Sequence, residues 1–342
     1  MSRDKLFFYC SYSHSLIIYN PIMIKRSFIK YFAASIAGGL LVSCGDKTTT
    51  EYHEKNRDNV IDGLSLMVSI DDNLPSIHSF AVPIMAGDTL VIIDFRSTDL
   101  LYTAYDIYND TTLGRFGKYG NGPGEVANPL FSFYDSYSRN IYVGNGNQGK
   151  LSYFHLPEAV SDSTYDAIDK TTVDVYRGIL YPYVVDESTV LCTTYPDLSN
   201  RNSRISKLNL DTGEITVIDS VTPGDNVRTA IAVSSKDNLI FAADKRHDLI
   251  RILDLDGNEH KKIFGPEYDD NIKDDEHFFS ESVICGKTVA SLYTGKNNSE
   301  KYDNRIILTE LDGKYLKTIQ FEETIHGMQY HDKTGRLYLT TR

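Results

Sequence analysis

Short apolar, β-branched runs recur along most of the chain, each introduced by one or more turn residues. Leu90-Val-Ile-Ile93 follows Gly87-Asp88, Ile141-Tyr-Val143 follows Ser138-Arg139-Asn140, and Val190-Leu-Cys192 follows Glu187-Ser188. Ile240-Phe-Ala242 follows Lys236-Asp237-Asn238, Val289-Ala-Ser-Leu292 follows Gly286-Lys287, and Leu337-Tyr-Leu339 follows Gly335-Arg336. The runs begin at residues 90, 141, 190, 240, 289 and 337, a spacing of 48 to 51 residues. An alternating run precedes each of them, as in Thr229-Ala-Ile-Ala-Val233 and Phe279-Ser-Glu-Ser-Val283. A third follows, as in Arg204-Ile-Ser-Lys-Leu-Asn-Leu210, Leu249-Ile-Arg-Ile-Leu253 and Arg305-Ile-Ile-Leu-Thr309. Turns at Asp211-Thr-Gly213, Asp256-Gly257 and Asp312-Gly313 then lead into a fourth, such as Glu214-Ile-Thr-Val-Ile218 or Tyr315-Leu-Lys-Thr-Ile319. Asp-Gly between alternating runs is a strong hairpin signal, so each unit reads as four antiparallel strands.

A repeat of about 50 residues holding four short strands is the pattern of a propeller blade. The spacing therefore predicts an all-β fold, a six-bladed β-propeller of four-stranded antiparallel blades over residues 60–342. Helical runs do not alternate with the strands, which disfavours a parallel sheet. The last unit ends at Arg342 after two strands. Leu64-Ser-Leu-Met-Val-Ser-Ile70 is placed to supply a third, and Asn59–Gly63 is a weaker candidate for another. Pairing N- and C-terminal strands in one sheet closes the ring and removes an exposed edge.

The one long apolar stretch lies elsewhere, near the start. Lys25, Arg26 and Lys30 precede Tyr31-Phe-Ala-Ala-Ser-Ile-Ala-Gly-Gly-Leu-Leu-Val42. At about a dozen residues that run is shorter than the roughly 20 that span a bilayer, and it reads as a secretory signal. It ends Leu41-Val42-Ser43-Cys44, in the form of a bacterial lipobox. The expectation is a signal peptide over 1–43, with Met23 as the true initiator and residues 1–22 untranslated. Cys44 then carries lipid, and residues 44–59 form a tether, polar and solvated from Gly45 onward. Gly45, rather than an aspartate, follows the cysteine, which points to the outer membrane.

Composition sharpens this picture. Tryptophan is absent and tyrosine numbers 24, in keeping with β-structure. With 41% apolar and 24% charged residues, the chain is neither a polytopic membrane protein, a disordered tail nor a small disulfide-stapled module. Net charge is −12, and it becomes −16 once residues 1–43 are removed. That balance excludes nucleic acid as an expected partner, because duplex binding depends on neutralising phosphates. A polybasic grip on anionic lipid is excluded on the same ground, leaving the acyl chains on Cys44 as the attachment.

The lipobox, the six units and the loop Gly114-Arg-Phe-Gly-Lys-Tyr-Gly-Asn-Gly-Pro-Gly-Glu125 together resemble the TolB-like six-bladed propeller lipoproteins of Gram-negative bacteria. The resemblance implies a fold and an envelope address, not an activity. TolB itself has an extra N-terminal domain, whereas here only about thirty residues separate Cys44 from the first blade, so its partner binding is not implied.

Candidate chemistry is sparse. Gly117–Gly124 has the look of a phosphate cradle, but no GK[ST] and no helix follow, so glycines serving a blade-to-blade crossing explain it better. Asp254-Leu-Asp-Gly-Asn258 has a calcium-loop flavour without further acidic ligands and matches the hairpin turns at Gly213 and Gly313. Counting back twelve residues from each landmark reaches His78, Pro129, Gly178, Arg228, His277 and Ile325, with Arg177 and His326 adjacent to two of these positions. If these positions ring a channel mouth, His78, His277 and His326 could hold zinc or move protons, and Arg177 and Arg228 could clamp a carboxylate. Cys192 and Cys285 read as buried small hydrophobes. Tyr102, Tyr105, Tyr142, Tyr181 and Tyr183 are expected to pack mainly between blades. Nucleophile elbows, HExxH and CxxC spacings are missing. The leading expectation is a monomeric binding module for an envelope protein, peptide or glycan, without a catalytic residue or cofactor. The alternative is a propeller enzyme, a metal-assisted lyase or hydrolase that uses the His/Arg mouth.

Overall fold

The computed structural model describes residues 5–9, 49–63, 67–70, 81–109, 111–196, 202–219, 228–271, 277–295 and 304–341, with 5–9 and 67–70 described as strands alone. Cys44, the whole apolar stretch before it and His78 lie outside these residues. Blade one is Ala81–Ala86, Thr89–Asp94, Leu100–Asp106 and Thr111–Lys118. Blade two is Pro129–Asp135, Asn140–Asn145, Lys150–His155 and Ile168–Thr172. Blade three is Leu180–Val184, Thr189–Thr194, Arg204–Asn209 and Ile215–Val217. Thr229–Ser234, Leu239–Asp244, Leu249–Leu253 and Glu259–Phe264 make blade four. Phe279–Cys285, Thr288–Tyr293, Arg305–Glu310 and Tyr315–Gln320 make blade five. The strands of each blade pair antiparallel in chain order, the arrangement of a β-propeller.

Each landmark run is the second strand of its sheet. Such a strand is covered on both faces by neighbouring blades, so it reads as continuously apolar instead of alternating. Leu90, Val91, Ile92 and Ile93 are all at most 3% exposed. The core is consequently a series of slabs between successive sheets. Tyr102 and Phe116 of blade one stack at 4.9 Å and meet Phe154 of blade two edge-on. Leu308 and Ile319 of blade five pack on Met328 and Leu339.

The hairpin turns between third and fourth strands lock each blade to the one before it. Asp211 pairs with Lys170 of blade two at 2.7 Å, Asp256 with Lys207 of blade three at 3.0 Å, and Asp312 with Lys261 of blade four at 3.3 Å. Gly213 follows Asp211 in the left-handed region at φ 74°, and a Cβ there would lie 1.9 Å from the backbone oxygen of Thr172. In blade two the short helix Leu156–Ser161 replaces the tight turn and presses on blade one at Gly114.

The closing sheet combines both ends of the chain, in the order Ile325–His331, Arg336–Thr341, Lys5–Tyr9, Met67–Ile70. The third place is thus held by Lys5–Tyr9, antiparallel to Arg336–Thr341, and Met67–Ile70 is outermost. Asn59–Gly63 does not join this sheet. Val60–Asp62 instead pairs parallel with Thr318–Gln320 on the outer edge of blade five.

Ile325–His331 lies between the inner strands of blades five and one, so the sheet spans the gap between them. At the seam with blade one, the Asp88 carboxylate accepts hydrogen bonds from Lys333 Nζ (2.7 Å) and from the buried His331 Nε2 (3.0 Å). These bonds, Lys333 first, hold the Asp88 carboxyl below its ordinary range. A carboxylate with a lowered folded-state pKa contributes stability above its unfolded value and loses it as pH falls through the folded one. Melting temperature followed from about pH 5 to pH 2 should therefore fall less steeply for Asp88→Asn than for the native chain.

The tether is not solvated throughout. Thr50–His53 adds to the outer edge of blade four, parallel to Lys261–Phe264. Beyond it Arg57 reaches into the groove between blades four and five. Its Nη1 donates to Asp248 and its Nε to Glu54, both at 2.8 Å, with side-chain exposures of 8% for Arg57 and 0% for Asp248. Asp248 also accepts from Tyr293 Oη and the Glu267 amide, each at 3.1 Å. The guanidinium lies over Tyr293 at 5.2 Å and Phe279 at 5.9 Å. Burial pushes Glu54 above the usual carboxylate range against the pull of Arg57. Residues 49–63 thus form a strap across two outer edges, which a polar sequence with no alternating run did not disclose.

Candidate functional site

A cavity of about 800 Å³ runs along the axis, lined by the inner strands of blades one, two, three and five and of the closing sheet. Blade four contributes nothing to its wall. The reason is a pair of tyrosines on blade three. Tyr181 and Tyr183 pack against the core between blades three and four. Their hydroxyls donate to the carbonyls of Ser280 (2.6 Å) and Ser282 (3.1 Å) on blade five. They cross the inner strand of blade four, whose buried Ile231 belongs to the core that the two rings pack on.

Tyr181 adopts φ 50°, a conformation that costs an L-residue about 1–2 kcal/mol. A register irregularity between Leu180 and Tyr183 accommodates it. The hydrogen bond to Ser280 and Lys245 Nζ, 5.1 Å from the ring centre, offset the strain. Burial raises the Tyr183 phenol well above its ordinary value, so it remains a neutral donor.

Much of the remaining polar wall also serves to hold strands together. Glu281 Oε2 accepts the Met328 amide at 3.0 Å and Gln329 Oε1 accepts the Met85 amide at 3.1 Å, each joining neighbouring inner strands. Ser132 Oγ donates to the Tyr142 carbonyl at 2.6 Å. Between these groups lie apolar side chains facing the open space: Val82 on blade one is 45% exposed and Leu130 on blade two 38%. His326 lines the cavity near one end and Asp332 near the other.

The repeat arithmetic locates the strand starts well. Pro129 and Ile325 open their inner strands, Arg228 immediately precedes one, and Gly178 and His277 precede theirs by two residues. Of the proposed mouth residues that the structure describes, which leaves out His78, only His326 lines the cavity. Arg177, on a short 3-10 turn, pairs with Asp174 at 3.3 Å, and His277 is exposed. Arg228 is half-buried, its Nε without a hydrogen-bond partner among the described residues. No group of three or more His, Cys, Asp or Glu able to hold a metal occurs among the described residues. A residue ahead of the first ladder pair is not oriented by strand alternation, and these side chains turn elsewhere.

The other motifs resolve structurally. The glycine loop closes on its own carboxylate: Gly122 N donates to Glu125 Oε2 at 2.8 Å, and a Cβ on Gly120 would lie 2.0 Å from that oxygen. Asp254 accepts from the amides of Asp256 and Asn258 and from the Asn258 side chain, capping its own hairpin. Cys192 and Cys285 are free and fully buried, and burial pushes the Cys192 thiol up to about 12. Tyr102, Tyr105 and Tyr142 pack in the slabs, while Tyr181 and Tyr183 are the pair that shapes the cavity. Their role had no local signal, because it depends on which carbonyls blade five presents across the axis.

These features define an all-β propeller with a ligand-sized axial cavity. No family model matches the sequence, and no curated protein matches it. Solved structures of similar fold include a nidogen/laminin complex (14% identity, TM-score 0.47, 70% of this chain and 79% of that one). Another is a member of the DUF4221 family from Bacteroides vulgatus (12%, TM-score 0.47, 76% and 91%). A third is XC5397 from Xanthomonas campestris, described as a gluconolactonase (10%, TM-score 0.46, 76% and 84%). The likeness is one of fold.

Proposed function

We propose that this chain is a TolB-like propeller lipoprotein, its six sheets forming one six-bladed ring, held to the bacterial outer membrane by lipid on Cys44. Processing there removes residues 1–43, so the closing sheet of the mature protein is completed without the Lys5–Tyr9 strand of the full chain. Its function is to bind the end of a peptide or glycan, or a small molecule of similar size, in the axial cavity. The observation that carries this reading is the wall of that cavity. Exposed Val82 and Leu130 face a space bordered by tyrosines, while Glu281, Gln329 and Ser132 are engaged in hydrogen bonds between and within blades. Such a surface supplies apolar and stacking contact with few fixed charges, as binding sites for small organic ligands do.

Peptide and glycan arrays probed with the detergent-purified protein identify ligands. Leu130→Arg, which places a long charged side chain in the cavity, is expected to weaken capture of those ligands tenfold or more, about 1.4 kcal/mol or above. Unchanged capture by a folded Leu130→Arg protein would place the binding surface elsewhere on the ring.

A further inference from the structure

The strap gives the propeller a definite orientation on the bilayer. Strands alternate in direction within each blade, so the ring has two distinct faces. One carries the hairpins between first and second and between third and fourth strands; the other carries the blade-to-blade crossings. Thr50–His53 runs parallel to Glu259–Phe264, the outer strand of blade four, which leads from its hairpin to its crossing. The strap therefore enters at the hairpin face, where Thr49 Oγ1 donates to the Glu259 carbonyl at 3.4 Å.

Cys44 precedes Thr49 by five residues, a reach of at most about 18 Å when fully extended. Glu259–Phe264 alone is about 20 Å long, and the crossing after it adds further height. An anchor at Cys44 meets the plane of the hairpin face directly, but it falls short of a membrane lying beyond the crossing face.

We propose that the hairpin face, beginning at the rim of blade four, is the surface that lies against the lipid bilayer. The cavity mouth at His326, next to the crossings, then points away from the membrane. This rests on lipid attachment at Cys44, as proposed above, and adds the direction in which the site faces.

Lys314 and Glu322 are exposed residues at opposite ends of the outer strand of blade five, Lys314 in the hairpin and Glu322 in the crossing. The full chain, produced in a bacterium that processes lipoproteins, carries a fluorophore at Lys314→Cys or Glu322→Cys. The native Cys192 and Cys285 are fully buried and do not compete. In phosphatidylcholine vesicles containing a headgroup quencher, the label at 314 is expected to be quenched several-fold more than the label at 322. Tyr52→Pro, which removes a ladder donor from the strap and lengthens the free tether, is expected to shrink that difference.

Equal or reversed quenching in protein that floats with vesicles through Cys44 overturns the orientation and leaves the anchor standing. Failure to float, or flotation unaffected by Cys44→Ala, overturns the anchor and the orientation with it. A difference that persists in full in Tyr52→Pro overturns the part assigned to the strap.

Discussion

Arg57→Ala is expected to destabilise the protein by about 3–5 kcal/mol, the cost of breaking a buried ion pair by removing one partner. Asp248 is the reason. Its carboxylate is fully buried, and the Tyr293 hydroxyl and the Glu267 amide cannot supply the compensating charge that the guanidinium provides. Glu54, buried beside it, loses its cation as well. Because Arg57 belongs to the strap, its loss also detaches residues 49–63 from the blade edges. Urea unfolding of Arg57→Ala should show a lower midpoint, and limited proteolysis should cut within 49–63 under conditions that leave the native chain intact. A double-mutant cycle with Asp248→Asn should return a coupling of more than about 1 kcal/mol. Lys314→Ala, which removes an exposed pair to Glu310 at 3.5 Å, is the contrast, with an expected effect of under about 1 kcal/mol. An Arg57→Ala loss as small as that of Lys314→Ala would show the strap to be dispensable to the fold.

Gly213→Ala is the second large effect, best measured against Gly87→Ala. Both glycines have φ in the left-handed region, at 74° and 63°, so a side chain at either meets about 1–2 kcal/mol of backbone strain. They differ in what surrounds them. Nothing lies within 4 Å of a Cβ at Gly87, whereas at Gly213 it meets the Thr172 oxygen at 1.9 Å. That oxygen is backbone in the outer strand of blade two and cannot rotate away, so blades two and three must separate locally. Overpacking of this kind typically adds about 1–3 kcal/mol. Gly213→Ala should accordingly lower the denaturation midpoint well beyond Gly87→Ala. Equal losses would mean that the turn does not bear on the neighbouring blade.

That turn also illustrates what was legible in advance. Asn209-Leu-Asp-Thr-Gly213 marks a hairpin because Gly supplies a positive φ and the Asn209 side chain caps the tight turn by accepting from the Asp211 and Thr212 amides, both properties of a few consecutive residues. The same locality made the four-strand unit and its 48–51-residue spacing readable. Reading Leu90–Ile93 as a strand needed only its β-branched run between turn residues. Its burial on both faces then followed from the repeat, since a blade flanked by like blades is covered on each side.

The candidate site was legible only as an axis. Counting from the landmarks found the first residues of the inner strands, yet Arg177, Arg228 and His277 do not line the cavity and His326 does. Tyr181 and Tyr183 were expected to pack between blades, and their bridge to Ser280 and Ser282 is set by the distance across the ring. The strap was the least visible element. Thr-Glu-Tyr-His and Val-Ile-Asp are polar or short, and they become strands because blades four and five offer unpaired outer edges.

Strand identity, hairpin position and repeat length follow from the chain alone, because alternation and turn chemistry act over two to ten residues. Sheet partners at the ring's edges, the burial of Arg57 and the shape of the cavity were decided by tertiary structure. Each requires groups 99 or more residues apart to meet, and only closure of the ring determines which do.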